Sequence, residues 1–257
     1  MTTPPTASTA ALARRLREVL GPEDVLDAAQ ERRYFAYDIA GAGTVPALVA
    51  VPRSVDSLAG AVGAITAAGH AVLPRGGGSS YSSGYVGDRE AAVVVDTRRL
   101  DRVVDVDARN MHVTVEAGCT WARLLDALEP HGVRTPFWGP FSGAVATIGG
   151  SLSQNAILWG SARHGTSADS VIGLDVVLAD GSILTTGAGS GAGAVAGTQR
   201  RGVPFLRNYG PDLCGPFLGD CGALGVKARA TLKLIRTPAA FATASFGFET
   251  RDAMVER

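Results

Sequence analysis

The chain has 257 residues, with Lys+Arg and Asp+Glu at 24 each and a formal net charge of zero. A neutral chain offers no long-range field to draw nucleic acid or an anionic membrane. At 46% hydrophobic and 19% charged it carries the apolar material for a core, and no run approaches the roughly 18 apolar residues of a membrane span.

Residues 1–5, Met-Thr-Thr-Pro-Pro, lack the charged-then-apolar order of a secretory signal and read as a lead-in. Residues 8–20 predict an amphipathic helix. Leu12, Leu16, Val19 and Leu20 share one face, Ser8 can cap the start, and Gly21 stops it. Arg14, Arg15 and Arg17 fall on a solvated face. Residues 31–38 read as a tyrosine-rich loop and 47–51 as a strand closed by Pro52. Residues 55–69 predict a helix with Leu58, Val62 and Ile65 inward and Asp56 in the first turn, where the helix dipole favours an acid. A short strand at 71–73 follows. The unbroken apolar run at 92–96 predicts a buried strand. Strands at 103–106 and 112–116 flank a turn at 107–110, and a first α/β lobe is expected to end near residue 106.

Residues 120–131 predict the next helix, with Thr120 as N-cap, Trp121, Leu124, Leu125 and Leu128 inward, and Gly132 as the stop. Residues 133–145, rich in proline and aromatics, read as an extended loop. A strand at 174–178 leads through an Asp180-Gly181 turn into a second at 182–185. Residues 187–202 read as a low-complexity Gly/Ala loop. Inside it, Gly191-Ala192-Gly193-Ala194-Val195-Ala196 fits a dinucleotide-binding spacing, with Asp212 about 20 residues on. That fingerprint must open a crossover helix, and Gly197, Gly202 and Pro204 interrupt one. A short helix is expected in 218–225 and a strand over 228–235, so residues 107–237 form a second, mostly sheet-based lobe. Residues 241–248 alternate as a strand does, and 249–257 begin a helix.

Cys119, Cys214 and Cys221 are too far apart for a Cys-x-x-Cys pair, and the four histidines are scattered, so no metal site is expected. The cysteines read as small buried hydrophobes in a reducing, cytoplasmic setting.

The chemistry lies in glycine-rich segments. Pro74-Arg75-Gly76-Gly77-Gly78-Ser79-Ser80-Tyr81-Ser82-Ser83-Gly84 follows the strand at 71–73. Three glycines without Cβ allow a tight bend and a close approach to a ligand. Successive free amides in such a loop make an anion site. Ser79 and Ser80 add hydroxyls and Arg75 a fixed positive charge, so a diphosphate is the natural guest. A second segment runs Ala146-Thr147-Ile148-Gly149-Gly150-Ser151-Leu152-Ser153-Gln154-Asn155 and leads to Trp159-Gly160-Ser161-Ala162-Arg163-His164-Gly165. A third is Gly219-Asp220-Cys221-Gly222-Ala223-Leu224-Gly225-Val226-Lys227.

With Val113-Thr114-Val115-Glu116-Ala117-Gly118 and Leu174-Asp175-Val176-Val177-Leu178-Ala179-Asp180-Gly181, these segments resemble the FAD-binding domain of the vanillyl-alcohol oxidase / p-cresol methylhydroxylase superfamily, over roughly residues 30–240. Tyr209-Gly210-Pro211-Asp212-Leu213 is similar to the FAD-linked oxidase branch that includes D-lactate and glycolate dehydrogenases. The resemblance implies an α+β fold: a PCMH-type FAD-binding domain of two α/β lobes, with its cap domain missing or truncated. Residues 1–29 would be a helix and lead-in, 30–237 the FAD-binding domain (lobes 30–106 and 107–237), and 238–257 the start of a cap or substrate domain.

By the same resemblance the pyrophosphate of FAD sits at Arg75, Gly76, Gly77, Gly78, Ser79 and Ser80. Thr147, Gly149, Gly150, Ser153 and Gly160 would line the flavin and ribityl side, with Gly222 and Val226 offering backbone, Val171 near the adenine and Pro140 a further cofactor contact. His164 stands where relatives often have tyrosine, as a flavin contact or a structural histidine. Relatives that tether FAD do so through a histidine in the first loop. Ser79 occupies that place, so bound but non-covalent FAD is expected. The implied activity is hydride removal from a small hydroxylated substrate such as a 2-hydroxy acid, with no catalytic acid or base assigned. Two alternatives stay open: a flavin-binding subunit or fragment that needs a partner chain, and a redox-neutral synthase of the alkyl-glycerone-phosphate type.

Overall fold

The computed structural model describes residues 9–88, 91–187, 207–208 and 211–255. The expected low-complexity loop and its dinucleotide-like spacing at 191–196 lie outside them.

Helix α1 (Thr9–Leu20) buries Leu12, Ala13 and Leu16, and β1 (Val25–Leu26) follows. Helix α2 (Ala29–Tyr34) forms where a loop was expected. No polar side chain caps it, so the sequence carries no start signal there. Strand β2 (Leu48–Ala50) enters α3 (Val55–Ala67), which Ser54 and Ser57 open with a reciprocal capping box. Strands β3 (Ala71–Arg75) and β4 (Ala92–Asp96) complete a sheet ordered β1-β2-β4-β3. Both neighbours of β4 run parallel to it. A strand so placed is covered on both faces, which explains why Ala92 to Val95 is apolar without alternation and the whole strand is buried.

The second sheet is antiparallel, ordered β5-β6-β10-β8-β9. Its strands are β5 (Val103–Asp107), β6 (His112–Glu116), β8 (Val171–Val177), β9 (Ile183–Thr185) and β10 (Val226–Lys233). Helix α4 (Trp121–Leu128) packs Trp121, Leu124 and Leu128 into the core, capped by Thr120 as expected. Leu125 is only half-buried. The remaining elements are β7 (Val133–Arg134), α5 (Ile148–Ser153), α6 (Ser161–His164), β11 (Ile235–Arg236), which pairs with β7, and α7 (Arg251–Val255).

Several expectations change. Strand β5 joins the second sheet through β6, so the sheets part before Val103 rather than at 106. Residues 218–225 hold no helix; a single 3-10 turn at Gly215–Phe217 precedes them, and Asp220 folds the segment around its carboxylate. Residues 241–248 form no strand and lie exposed, with no pairing partner among the described residues. Helix α1 forms where expected: Leu12 and Leu16 share one core with Leu58, Val62 and Ile65 of α3 and with Val177, Val226 and Ala228 of the second sheet. That shared core fixes the two sheets against each other, and the space between them becomes the site.

Candidate FAD site

Strand β3 delivers the glycine loop to the edge of the first sheet. A Cβ on Gly76 would collide with the Thr147 hydroxyl, and one on Gly77 with the Val145 carbonyl. The loop therefore lies flat on the segment entering α5 only because those atoms are absent. Gly78 turns with φ +67, and the Arg75 guanidinium fills the space beneath it.

The second wall is α5. Thr147 accepts from the Gly150 amide at 3.3 Å and caps the helix. The Gly149 amide donates to the Ala117 carbonyl at 2.7 Å, and a Cβ at Gly149 would meet Ala117 at 2.8 Å. This wall is backbone seated on the turn after β6.

The third wall is residues 219–227. The amides of Gly219 and Cys221 donate to the carbonyls of Leu152 and Ser153, each at 2.9 Å. Asp220 accepts from the Gly222 amide at 3.0 Å and from Lys227 Nζ at 2.6 Å, in a pair whose side chains are only 3% and 4% exposed. Burial pushes the Lys227 ammonium below its ordinary range, and Asp220 opposes that by hydrogen bond and charge. A side-chain chain links all three walls: Ser82 Oγ donates to Gln154 Oε1 at 2.9 Å, and Gln154 Nε2 lies 3.7 Å from Cys221 Sγ.

The walls enclose a cleft of about 430 Å³. Of the residues expected to hold cofactor, Arg75, Gly76, Gly77, Gly78, Ser79, Ser80, Pro140, Thr147, Gly149, Gly150, Ser153, Gly222 and Val226 all line it. Three do not. Gly160 turns with φ +94 ahead of α6, against the Pro136 carbonyl. His164 ends α6, half-buried. Val171 starts β8, fully buried opposite Leu232. Sequence reasoning did not single out Ser82, Ala117, Gln154, Asn155, Cys221 and Lys227, which also line the cleft. Five of them sit inside the quoted motifs and Ser82 inside the glycine loop. Only the fold shows which of these side chains face inward.

Arg75 is 6% exposed. Its Cζ lies 4.9 Å from the Phe35 ring centre, 5.2 Å from Tyr34 and 5.3 Å from Tyr85, while its Nε and Nη1 have no hydrogen-bond partner among the described residues. Burial pulls its pKa down, and neighbouring Tyr85 is pushed up by the same cause.

The FAD binding domain family matches residues 46–187, more than half of the chain. The chain belongs to that family. FAD is the cofactor this membership assigns. The matched range holds the first two walls; the third, 219–227, lies beyond it. The glycolate oxidase subunit GlcD of Bacillus subtilis is 29% identical over 243 residues, 94% of this chain and 48% of its own length. A probable mitochondrial D-lactate dehydrogenase of Danio rerio is 32% identical over 216 residues, 82% of this chain and 39% of its own. The chain thus spans less than half the length of these curated relatives. A structure of p-cresol methylhydroxylase superposes with TM-score 0.73 at 18% identity, over 90% of this chain and 44% of that one. An alkyldihydroxyacetonephosphate synthase structure gives the same TM-score at 22% identity, over 93% and 43%. These likenesses show the PCMH-type fold.

The donor set fits FAD. A backbone-lined glycine loop with two hydroxyls and a cation suits a diphosphate. Ala117, Ala146, Ile157 and Val226 supply the apolar lining that a flat ring needs.

Proposed function

We propose that this cleft holds FAD without a covalent bond and that the chain is the FAD-binding part of an oxidoreductase acting on a small hydroxylated acid. The observation that carries it is the meeting of the glycine loop, capped α5 and the Asp220 segment in one cleft. In this reading the amides of Gly76, Gly77, Gly78 and Ser79, with the hydroxyls of Ser79 and Ser80, bind the diphosphate. Thr147 to Ser153 and the backbone of Gly222 and Val226 orient the rest and exclude water. Bound FAD supplies a two-electron acceptor for oxidation of an alcohol carbon. GlcD and the D-lactate dehydrogenase named above support a 2-hydroxy acid as substrate. The synthase likeness, at 22% identity, speaks only to fold and does not favour the redox-neutral alternative.

The rest of the substrate site and the catalytic base belong, in this proposal, to a cap domain or a partner chain, as the word subunit in the GlcD name suggests. No helix among the described residues is long and apolar enough to cross a membrane. The free thiols of Cys119, Cys214 and Cys221 support a reducing, cytoplasmic setting.

The test is a visible spectrum of the purified chain before and after acid precipitation. Flavin bands with FAD released to the supernatant are expected. Flavin held in the pellet would overturn the non-covalent reading of Ser79. A folded, colourless protein that takes up no added FAD would overturn the assignment of the cleft. Anaerobic bleaching by D-lactate or glycolate, in protein supplied with the cap half of a relative, tests the substrate class.

A further inference from the structure

Arg75 borders two cavities. The second is an open depression that adjoins the glycine loop, lined by Gln30, Arg33, Tyr34, Tyr37, Arg75 and Gly78 among others. Gln30, Arg33 and Tyr34 stand at i, i+3 and i+4 of α2, and Tyr37 follows the helix in a bridge to Ala42, so the helix and the turn after it look at the loop. That surface is unusual. Tyr34 and Tyr37 are 60% and 55% exposed, although large aromatics are normally covered. Arg33 makes no side-chain hydrogen bond or ion pair among the described residues.

The charges near it are unevenly answered. Asp96 is ion-paired to Arg98 at 2.7 Å. Asp38 faces the depression, but its oxygens accept from the amides of Ala40, Gly41 and Ser83 at 2.7 to 2.9 Å. Arg75 is left with ring contacts and, among the described residues, no acceptor for Nε or Nη1. Cation–π contact offsets part of the cost of burying a guanidinium, but its in-plane N–H groups still need acceptors. Nη2 is tucked against Gly78, which lines the depression as well as the cleft.

We propose that this depression is a second binding site, for a small organic anion with an apolar or aromatic body. Arg33 and the Nη2 edge of Arg75 take the carboxylate or phosphate, and the open faces of Tyr34 and Tyr37 take the body. The site shares Arg75 and Gly78 with the cofactor cleft, while Arg33, Tyr34 and Tyr37 line the depression alone.

The experiment titrates the FAD-saturated chain with phenyl phosphate, benzoate, inorganic phosphate and neutral benzyl alcohol. Backbone amide signals and the Arg75 Nε signal are followed by heteronuclear NMR, and flavin occupancy is read beforehand by absorption. Expected is saturable movement of Gly78, Tyr37 and Arg75 Nε with phenyl phosphate or benzoate, weaker movement with inorganic phosphate and none with benzyl alcohol. Arg33→Gln should weaken binding about tenfold, the loss of one charge-assisted contact, with flavin content unchanged. No saturable movement at those signals, equal binding of benzyl alcohol, or undiminished binding in Arg33→Gln would each overturn the proposal. If the chain takes up no flavin, the cofactor reading fails by itself. The same signals, set against Thr147 and Gly150 in the main cleft, still decide the second site.

Discussion

Two walls of the cleft are built on opposite principles. The glycine-loop wall is held by atoms that are absent: Gly76 and Gly77 let backbone touch the Thr147 side chain and the Val145 carbonyl. The Asp220 wall is held by atoms that are present: one carboxylate gathers two backbone amides and a buried lysine. The first should break when an atom is added and the second when one is removed. The largest effect belongs to the second. Asp220→Leu strands Lys227 as a buried, uncompensated charge, which costs about 3–5 kcal/mol, and orphans two amides besides. Pairing it with Lys227→Met should restore the share due to charge but not the share due to the amides. Denaturant unfolding of both variants reads the split; equal stability of the two would mean that the ion pair carries no weight.

The glycine wall is tested by Gly77→Ala. One methyl driven at a backbone carbonyl has no side chain to push aside, so the loop must lift off the α5 segment. FAD affinity should fall by about 100-fold, near 2.7 kcal/mol, with a smaller loss of stability because the loop lies at a sheet edge. Fluorescence titration with FAD checks it. Retention of wild-type affinity would show that the close approach of the loop to Val145 is not needed.

The sequence made the first wall more legible than the third. A Gly-Gly-Gly run after a strand announces a close backbone approach wherever it falls, and the parallel strands beside it show as uninterrupted apolar runs. The elements that failed lack such local signals. Helix α2 has no capping side chain. The 218–225 segment is shaped by Asp220, whose partners Gly222, Leu224 and Lys227 carry no helical or strand period. Strand β5 reads as a strand, but nothing local tells which sheet it joins; that is decided by its pairing with β6. Cys221 and Lys227 face the cleft because Cys221 adopts a left-handed turn, φ +53, and Lys227 reaches back to Asp220. Neither follows from residue type.

Between the two walls lies Thr147, which belongs to both kinds. Its hydroxyl caps α5 and also fills the place that a Gly76 side chain would take. Thr147→Ala removes the cap, a loss of about 1 kcal/mol, but relieves no collision, since Gly76 has none. FAD affinity should drop several-fold, well short of the effect of Gly77→Ala. Thr147→Ser keeps the cap and should recover most of that loss. If Ser does no better than Ala, the threonine methyl, rather than the hydroxyl, shapes the wall.

The smallest effect is the most pointed. His164, a flavin contact or a structural histidine by the resemblance, ends α6 outside the cleft, next to Gly165 with φ +83. Its backbone amide is fixed by the Gly160 carbonyl at 2.9 Å, so the turn does not depend on the imidazole. His164→Ala should therefore shift FAD affinity by less than about twofold, within the range of surface substitutions. A loss comparable to that of Thr147→Ala would mean that α6 closes over the cofactor when it binds. The cleft would then have a fourth, movable wall, built by neither the addition nor the subtraction of atoms that defines the other two.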